Sequence, residues 1–176
     1  MAIKKLINDA LAHYGGGLTR EGRTERPIKT GALPWRIGPK KRVEVLLVTG
    51  RRSRRWTIPK GWPMAGKSLA EAAAVEAFEE AGVKGKVDPE PLGAFNHTKQ
   101  SVPFGTLEVR ILVHPMNVER ELAKWPELGQ RRRKWFSVKE AAEKVDSEEL
   151  RDLIIQSAER AFTAQTSKAP KATAKA

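Results

Sequence analysis

Three features of this sequence predict an α/β sandwich built as one domain. Short apolar segments with strand character recur along the chain, led by Val45–Val48 and the alternating Val109, Ile111 and Val113. One helix, marked at both ends, interrupts them at about Ser68–Ala81. A last helix repeats Leu150, Leu153, Ile154, Ser157 and Ala161 at helical spacing, so one of its faces has to pack on a sheet. A length of 176 residues suits one domain with a proper core.

Taken in order, the chain opens on "MAIKKLINDALAHYGGG", read as a short amphipathic helix or a loose arm. It lacks the apolar core and cleavage pattern of a signal peptide, and Asp9 and the early lysine pair suit a transit peptide poorly. The arm runs to residue 26, the domain covers 27–162, and 163–176 form a basic, low-complexity tail expected to be disordered. Within the domain "GALPWRIG" can be extended, and "KRVEVLLVTGRR" is a strong strand. "RWTIPKGW" is a shorter extended piece ended by Pro59 and Gly61. Ser68-x-x-Glu71 is a capping box that starts the middle helix, and Gly82 closes it in a left-handed cap. "VKGKVDPEPLGAFNHTKQ", "TLEVRILVHPM" and "RKWFSV" supply further strands. Ser137-x-x-Glu140 and the looser Asp146-x-x-Glu149 then start two helices.

The formal net charge is +12, which predicts attraction to polyanions: nucleic acid, an anionic membrane or a highly phosphorylated small molecule. Cysteine is absent, which excludes disulfides, thiolate catalysis and zinc–thiolate sites and agrees with a reducing, cytoplasmic setting. No apolar run approaches the ~20 residues that cross a bilayer, so no membrane partner is expected. The basic residues gather in "GRRSRRW" and "GQRRRKWF".

Against that charge, Glu76, Glu79 and Glu80 share one face of the middle helix within about a turn. Like charges at this spacing repel by a few tenths of a kcal/mol per pair, and a divalent cation offsets that repulsion. The surrounding loop–helix–loop "GWPMAGKSLAEAAAVEAFEEAGV" resembles the Nudix box of the Nudix hydrolase superfamily, Gly-x5-Glu-x7-Arg-Glu-apolar-x-Glu-Glu-x-Gly-apolar. Gly61, Glu76, Ala77, Glu79, Glu80, Gly82 and Val83 match in register. Lys67 replaces the first Glu of the pattern and Val75 its Arg, which looks like joint loss of one ion pair. "RRWTIPKGW", "EEAGVKG", "LGAFNHTK" and "GQRRRKWFSVKEA" are similar to the diphosphoinositol polyphosphate phosphohydrolase group, which also cleaves dinucleoside polyphosphates.

The resemblance implies a Nudix-type α/β/α sandwich with a mixed sheet and metal-dependent hydrolysis of a phosphoanhydride. It implies Glu76, Glu79, Glu80 and the backbone carbonyl of Lys60 as ligands of Mg2+ or Mn2+, with Glu79 or Glu80 accepting a proton from water. A later-loop base at Glu119, Glu121 or Glu127 stays open. Phosphate recognition is expected from Arg51, Arg52, Arg54, Arg55, Arg131, Arg132 and Arg133, with Arg36 and Lys60 as weaker candidates, because the planar guanidinium binds phosphate in two places. Trp56 and Trp135 adjoin the basic clusters; His97 is a minor candidate, and His13 and His114 read as structural. The expected partner is a small polyphosphate. The alternatives are an RNA 5′-end pyrophosphohydrolase, with nucleic acid as partner, and a non-catalytic binding module.

Overall fold

The computed structural model describes residues 26–101 and 105–166. Most of the expected arm, His13 and the tail beyond residue 166 lie outside them. The strands are β1 (Ile28–Ile37), β2 (Val43–Thr49), β3 (Trp56–Thr57), β4 (Lys60–Gly61), β5 (Val83–Val87), β6 (Gly93–Ser101), β7 (Gly105–Glu121) and β8 (Arg133–Ser137). The helices are α1 (Leu69–Ala81), α2 (Val138–Lys144) and α3 (Glu148–Thr166). Among the described residues these strands join in one mixed sheet with the path β3-β2-β1-β7-β5; β4 pairs with β1, β6 with β7 and β8 with β2. The pairing of β1 with β7 is parallel and the other pairings are antiparallel.

Both faces of the sheet are covered, which explains the unbroken apolar run in β2. Val45 and Leu47 join the core beneath α2 and α3, with Leu33, Phe95, Ile111, Leu150 and Ile154. Leu46 and Val48 point the other way, toward Ala32, Met116 and Ala73, Ala77 and Ala81 of α1. Alternation along one strand thus fills two cores. The alanine face lets α1 lie close to the sheet. Buried Thr30 ties the two together, its Oγ1 donating to the Leu69 carbonyl at 2.8 Å.

The expected caps of α1 are present. Ser68 N–H donates to Glu71 Oε2 at 2.7 Å, and Glu71 N–H returns the bond to Ser68 Oγ at 3.2 Å. Gly82 closes the helix at φ 63°. Three readings needed correction. "RWTIPKGW" divides into two short strands, because Ile58 and Pro59 leave the pairing between them. The α3 cap is Ser147, whose Oγ accepts from Leu150 N–H at 3.2 Å, while Asp146 pairs with Arg55. That helix also continues to Thr166, beyond the boundary set at 162.

Strand β7 runs through Pro115 and on to Glu121. The proline is tolerated because it falls where β7 changes neighbours: β6 pairs up to Val113 and β5 pairs from Met116. No ladder bond is needed from its nitrogen on that side. The chain between β5 and β6 fills the gap, with Asp88 N–H on the Pro115 carbonyl at 2.8 Å and His114 Nδ1 3.0 Å from the Asp88 carbonyl oxygen. His114 is structural, as expected.

A methyl at Gly82 would add left-handed strain and stand 2.6 Å from Trp125 Cδ2 and 2.7 Å from an Arg133 guanidinium nitrogen. Gly82→Ala is expected to destabilise the protein by about 1–3 kcal/mol, read as a lowered denaturant midpoint at unchanged slope. An unchanged midpoint contradicts the packing described.

Candidate functional site

The acidic face of α1 meets β4 at the strand's two residues. Glu76 lies against Gly61, where a side chain's Cβ would stand 1.7 Å from Glu76 Oε1. Only glycine leaves room for that carboxylate. One turn later Glu80, 6% exposed, receives the backbone N–H of Lys60 on Oε2 at 3.3 Å. The Lys60 group directed at this carboxylate is therefore its N–H, whereas the resemblance implied its carbonyl as a ligand. Glu79 is half-buried, and its backbone carbonyl accepts from Glu127 N–H at 3.1 Å.

The second oxygen of Glu80 is bound by Arg131. This side chain, 8% exposed, uses all three guanidinium nitrogens: Nη2 donates to Glu80 Oε1, Nε to Glu127 Oε2, and Nη1 to the Thr49 carbonyl at 3.1 Å. Glu127 in turn has Arg51 3.5 Å from its Oε1. A chain of alternating charges, Glu80–Arg131–Glu127–Arg51, thus runs from the buried helix face to the surface.

Three of these groups are displaced from their ordinary ionisation. Burial, then the neighbouring Glu80 and Glu79, pushes the Glu76 carboxyl up to about 7. Burial also raises Glu80, against the pull of Lys60 and Arg131. The Lys60 ammonium is lowered to about 8, again by burial first. Burial thus disfavours the charged forms of all three groups. Among the described residues no three acidic or histidine side chains converge into a ready-formed metal cage. The donor set nevertheless suits a hard divalent cation, since it consists of carboxylate oxygens whose negative charge is costly where they stand.

The basic clusters divide. Arg51 and Arg54 lean on the segment beside the site, Arg51 Nη1 on Gln130 Oε1 at 3.4 Å and Arg54 Nη1 on the Gln130 carbonyl at 3.2 Å. Arg52 is exposed on the same turn. Arg55 instead pairs with Asp146 at 3.0 Å. The backbone leading into β8 splits Arg131–Arg133 among different partners. Arg133 caps the end of α1, donating to the Ala81 carbonyl at 2.6 Å and the Leu122 carbonyl at 2.9 Å while stacking on Trp125. Arg132 lies over Trp56, which packs edge-to-face on Phe136 in the opposite core. Arg36 is held by Glu44 at 2.9 Å, by Glu121 at 2.6 Å and by the Trp135 ring. Arg36, Arg55, Arg132 and Arg133 thus have structural partners away from the glutamates, and so do both tryptophans. His97 is exposed on β6.

Of the three later acids only Glu127 is brought to the box. Glu121 belongs to the Arg36 cluster, and Glu119 faces Lys86 at 3.8 Å. Sequence reasoning missed the partnership of Arg131 with carboxylates, for which no local signal exists because Glu80 lies 51 positions away. It also missed Lys29, whose Nζ lies 4.5 Å from the Trp62 ring centre and whose charge acts on Glu76 and Lys60.

A family model for the NUDIX domain matches residues 29–156. Nudix hydrolase 17, mitochondrial, of Arabidopsis thaliana is 32% identical over 149 residues, covering 81% of this chain and 79% of that protein. Nudix hydrolase 12, mitochondrial, from the same plant is 37% identical over 108 residues, 58% of this chain and 52% of the other, so the chain spans about half the length of that relative. Diphosphoinositol polyphosphate phosphohydrolase 3-beta of Bos taurus is 36% identical over 102 residues, covering 56% of this chain and 57% of that protein. Among solved structures, the Ap4A hydrolase of C. elegans superposes with a TM-score of 0.54 at 19% identity, over 81% of this chain and 99% of that one. The NUDIX domain of Shewanella oneidensis NrtR, complexed with ADP ribose, gives 0.55 at 14% identity over 82% and 96%. At these identities the two structures show a shared fold.

The raised Glu76 predicts a pH effect. A carboxyl titrating at about 7 in the folded chain and near 4.5 when free holds an extra proton in the folded state between those values. Stability of the metal-free protein should therefore fall as pH rises through that window. Glu76→Gln should lack this component. Denaturant titrations in chelator, at several pH values from about 5 to 8, check it; parallel profiles for the two proteins contradict the assignment.

Proposed function

Because the chain belongs to the NUDIX family, we propose that it hydrolyses a phosphoanhydride bond in a highly charged polyphosphate, using Mg2+ or Mn2+ held by Glu76, Glu79 and Glu80. The observation that carries this is the Glu76 carboxylate lodged against Gly61 and raised to about 7 beside Glu79 and Glu80. Such a group gains most from a nearby dication. When bound, the cation acidifies water and neutralises phosphate oxygens.

The chain's own residues supply the rest. Gly61 admits Glu76 to the loop, and the α1 caps fix the helix that carries all three carboxylates. Glu80 is pinned by Lys60 N–H and Arg131, whereas the Glu79 side chain has no hydrogen-bond partner among the described residues. Glu79 is accordingly the proton acceptor in this reading, with Glu127 the nearest substitute. Lys60 and Lys29 place positive charge beside the carboxylates. Arg51, Arg52 and Arg54 border the entrance, where they can meet phosphates distant from the cleaved bond.

The substrate class follows from that border: a dinucleoside polyphosphate or a diphosphoinositol polyphosphate, small molecules rather than nucleic acid. The names of the bovine relative and the C. elegans neighbour agree with this class. Among the described residues no helix is long and apolar enough to span a membrane. The reading places the protein in the cytoplasm on its cysteine-free composition, although several plant relatives are named as mitochondrial. Imaging of a fluorescent fusion tests that placement.

Each added phosphate offers charge-assisted bonds worth about 1.5–3 kcal/mol when well formed and less where exposed. A dinucleoside tetraphosphate or a diphosphoinositol polyphosphate should exceed ADP-ribose in kcat/KM by at least about tenfold. The margin should shrink with salt, and Arg51→Ala with Arg54→Ala should narrow it further. Phosphorus NMR of each reaction identifies the bond cut. ADP-ribose as best substrate, with the double variant unimpaired on it, overturns the polyphosphate reading; a 5′-triphosphate RNA as best substrate would favour the RNA alternative. A lack of any metal-dependent turnover would leave a binding module.

A further inference from the structure

Arg131 stands out among the cations because it is buried and because one of its bonds falls on a carboxylate assigned to the metal. Both oxygens of Glu80 are committed in this structure: Oε2 to the Lys60 N–H and Oε1 to Arg131 Nη2. Each guanidinium nitrogen holds a protein acceptor, with Nε and Nη1 anchored to Glu127 and the Thr49 carbonyl. A cation approaching Glu80 Oε1 competes with the Nη2 bond for that oxygen's charge, while the other two anchors can persist. The β2–β8 pairing holds the backbone beside Arg131, with Arg132 N–H on Thr49 Oγ1 at 2.9 Å and Thr49 N–H on the Arg132 carbonyl at 2.9 Å. The side chain is thus fixed at its root and at two nitrogens, and only its contact with Glu80 is exchangeable.

We infer that Arg131 is a positioning residue that competes with a divalent cation for Glu80, because its Nη2 and the cation seek the same carboxylate oxygen. It compensates a buried carboxylate, and it lowers the affinity of that carboxylate for a cation. The same chain ties the site to the surface turn through Glu127 and Arg51. This inference rests on the proposed metal role of Glu80.

The test is calorimetric titration of Mn2+ into the full chain at about pH 8, where Glu76 is ionised. Arg131→Met should bind Mn2+ about tenfold more tightly than wild type, the worth of one charge-assisted bond. Arg51→Met removes a charge from the same chain without touching Glu80 and should change affinity less than about twofold. Equal gains in both variants would mean general electrostatics, and unchanged or weaker binding in Arg131→Met would mean no competition; either overturns the inference. Wild type that binds no Mn2+, or binds it unaffected by Glu80→Gln, overturns the metal reading itself. Should Arg131→Met not fold, the side-chain NMR signals of Arg131 in wild type decide the matter. They should shift on saturation with Mg2+, and their constancy in a metal-saturated protein overturns the proposal.

Discussion

One buried carboxylate organises this molecule. Glu80 lies at the junction of α1 with the sheet because the helix presents alanines at 73, 77 and 81 and so approaches closely. An ionised group in that position is expensive unless charges and donors meet it. The partners come from separated segments: β4 through the Lys60 N–H, and the connection before β8 through Arg131, itself held by Glu127. Each of these segments is held where it is partly by the demand to satisfy Glu80. The fold and the site therefore share their central contacts, and a change at Glu80 touches both.

The arginines show how one residue type serves two purposes within a single run. Arg131, Arg132 and Arg133 are consecutive, yet the backbone leading into β8 sends them to a carboxylate, to an aromatic ring on the opposite face and to the carbonyls that end α1. Arg133 matters to the site without touching the glutamates, because it fixes the C-terminal turn that carries Glu79 and Glu80. The turn at Arg51–Arg55 behaves differently. Its side chains are exposed, and those of Arg51 and Arg54 are held by longer bonds to Gln130 and Glu127. Buried guanidiniums organise the fold, and exposed ones remain able to change partners.

The fold class, the capped helix and the three-glutamate face were legible because each has a local signal: a Ser-x-x-Glu box, a closing glycine, apolar alternation and carboxylates one turn apart. Long-range partnerships were not. Nothing local distinguishes Arg131 from Arg132, and the contacts of Arg36 with Glu121 and Trp135 join residues far apart in the chain. The tolerance of Pro115 within β7 is equally non-local, since it depends on where β6 ends and β5 begins across the sheet. The cap of α3 was misplaced by one residue, because Asp146 and Ser147 are both competent caps and Arg55 claims the first.

Lys67 and Val75 take on a clearer meaning in this setting. Lys67 is exposed in the turn before the helix, and Val75 carries no charge to place near the glutamates. The positive charge at Glu80 comes instead from Lys60 and Arg131, from other parts of the chain. The central claim is that the carboxylates on α1 form a metal site in which Arg131 competes with the cation for Glu80. Anomalous scattering at the manganese edge, from crystals of the protein soaked in Mn2+, addresses it most directly. The account predicts a peak against the carboxylates of Glu76 and Glu80, with the guanidinium of Arg131 withdrawn from Glu80. A peak elsewhere, or none, with the Arg131–Glu80 pair intact at saturating Mn2+, would contradict it.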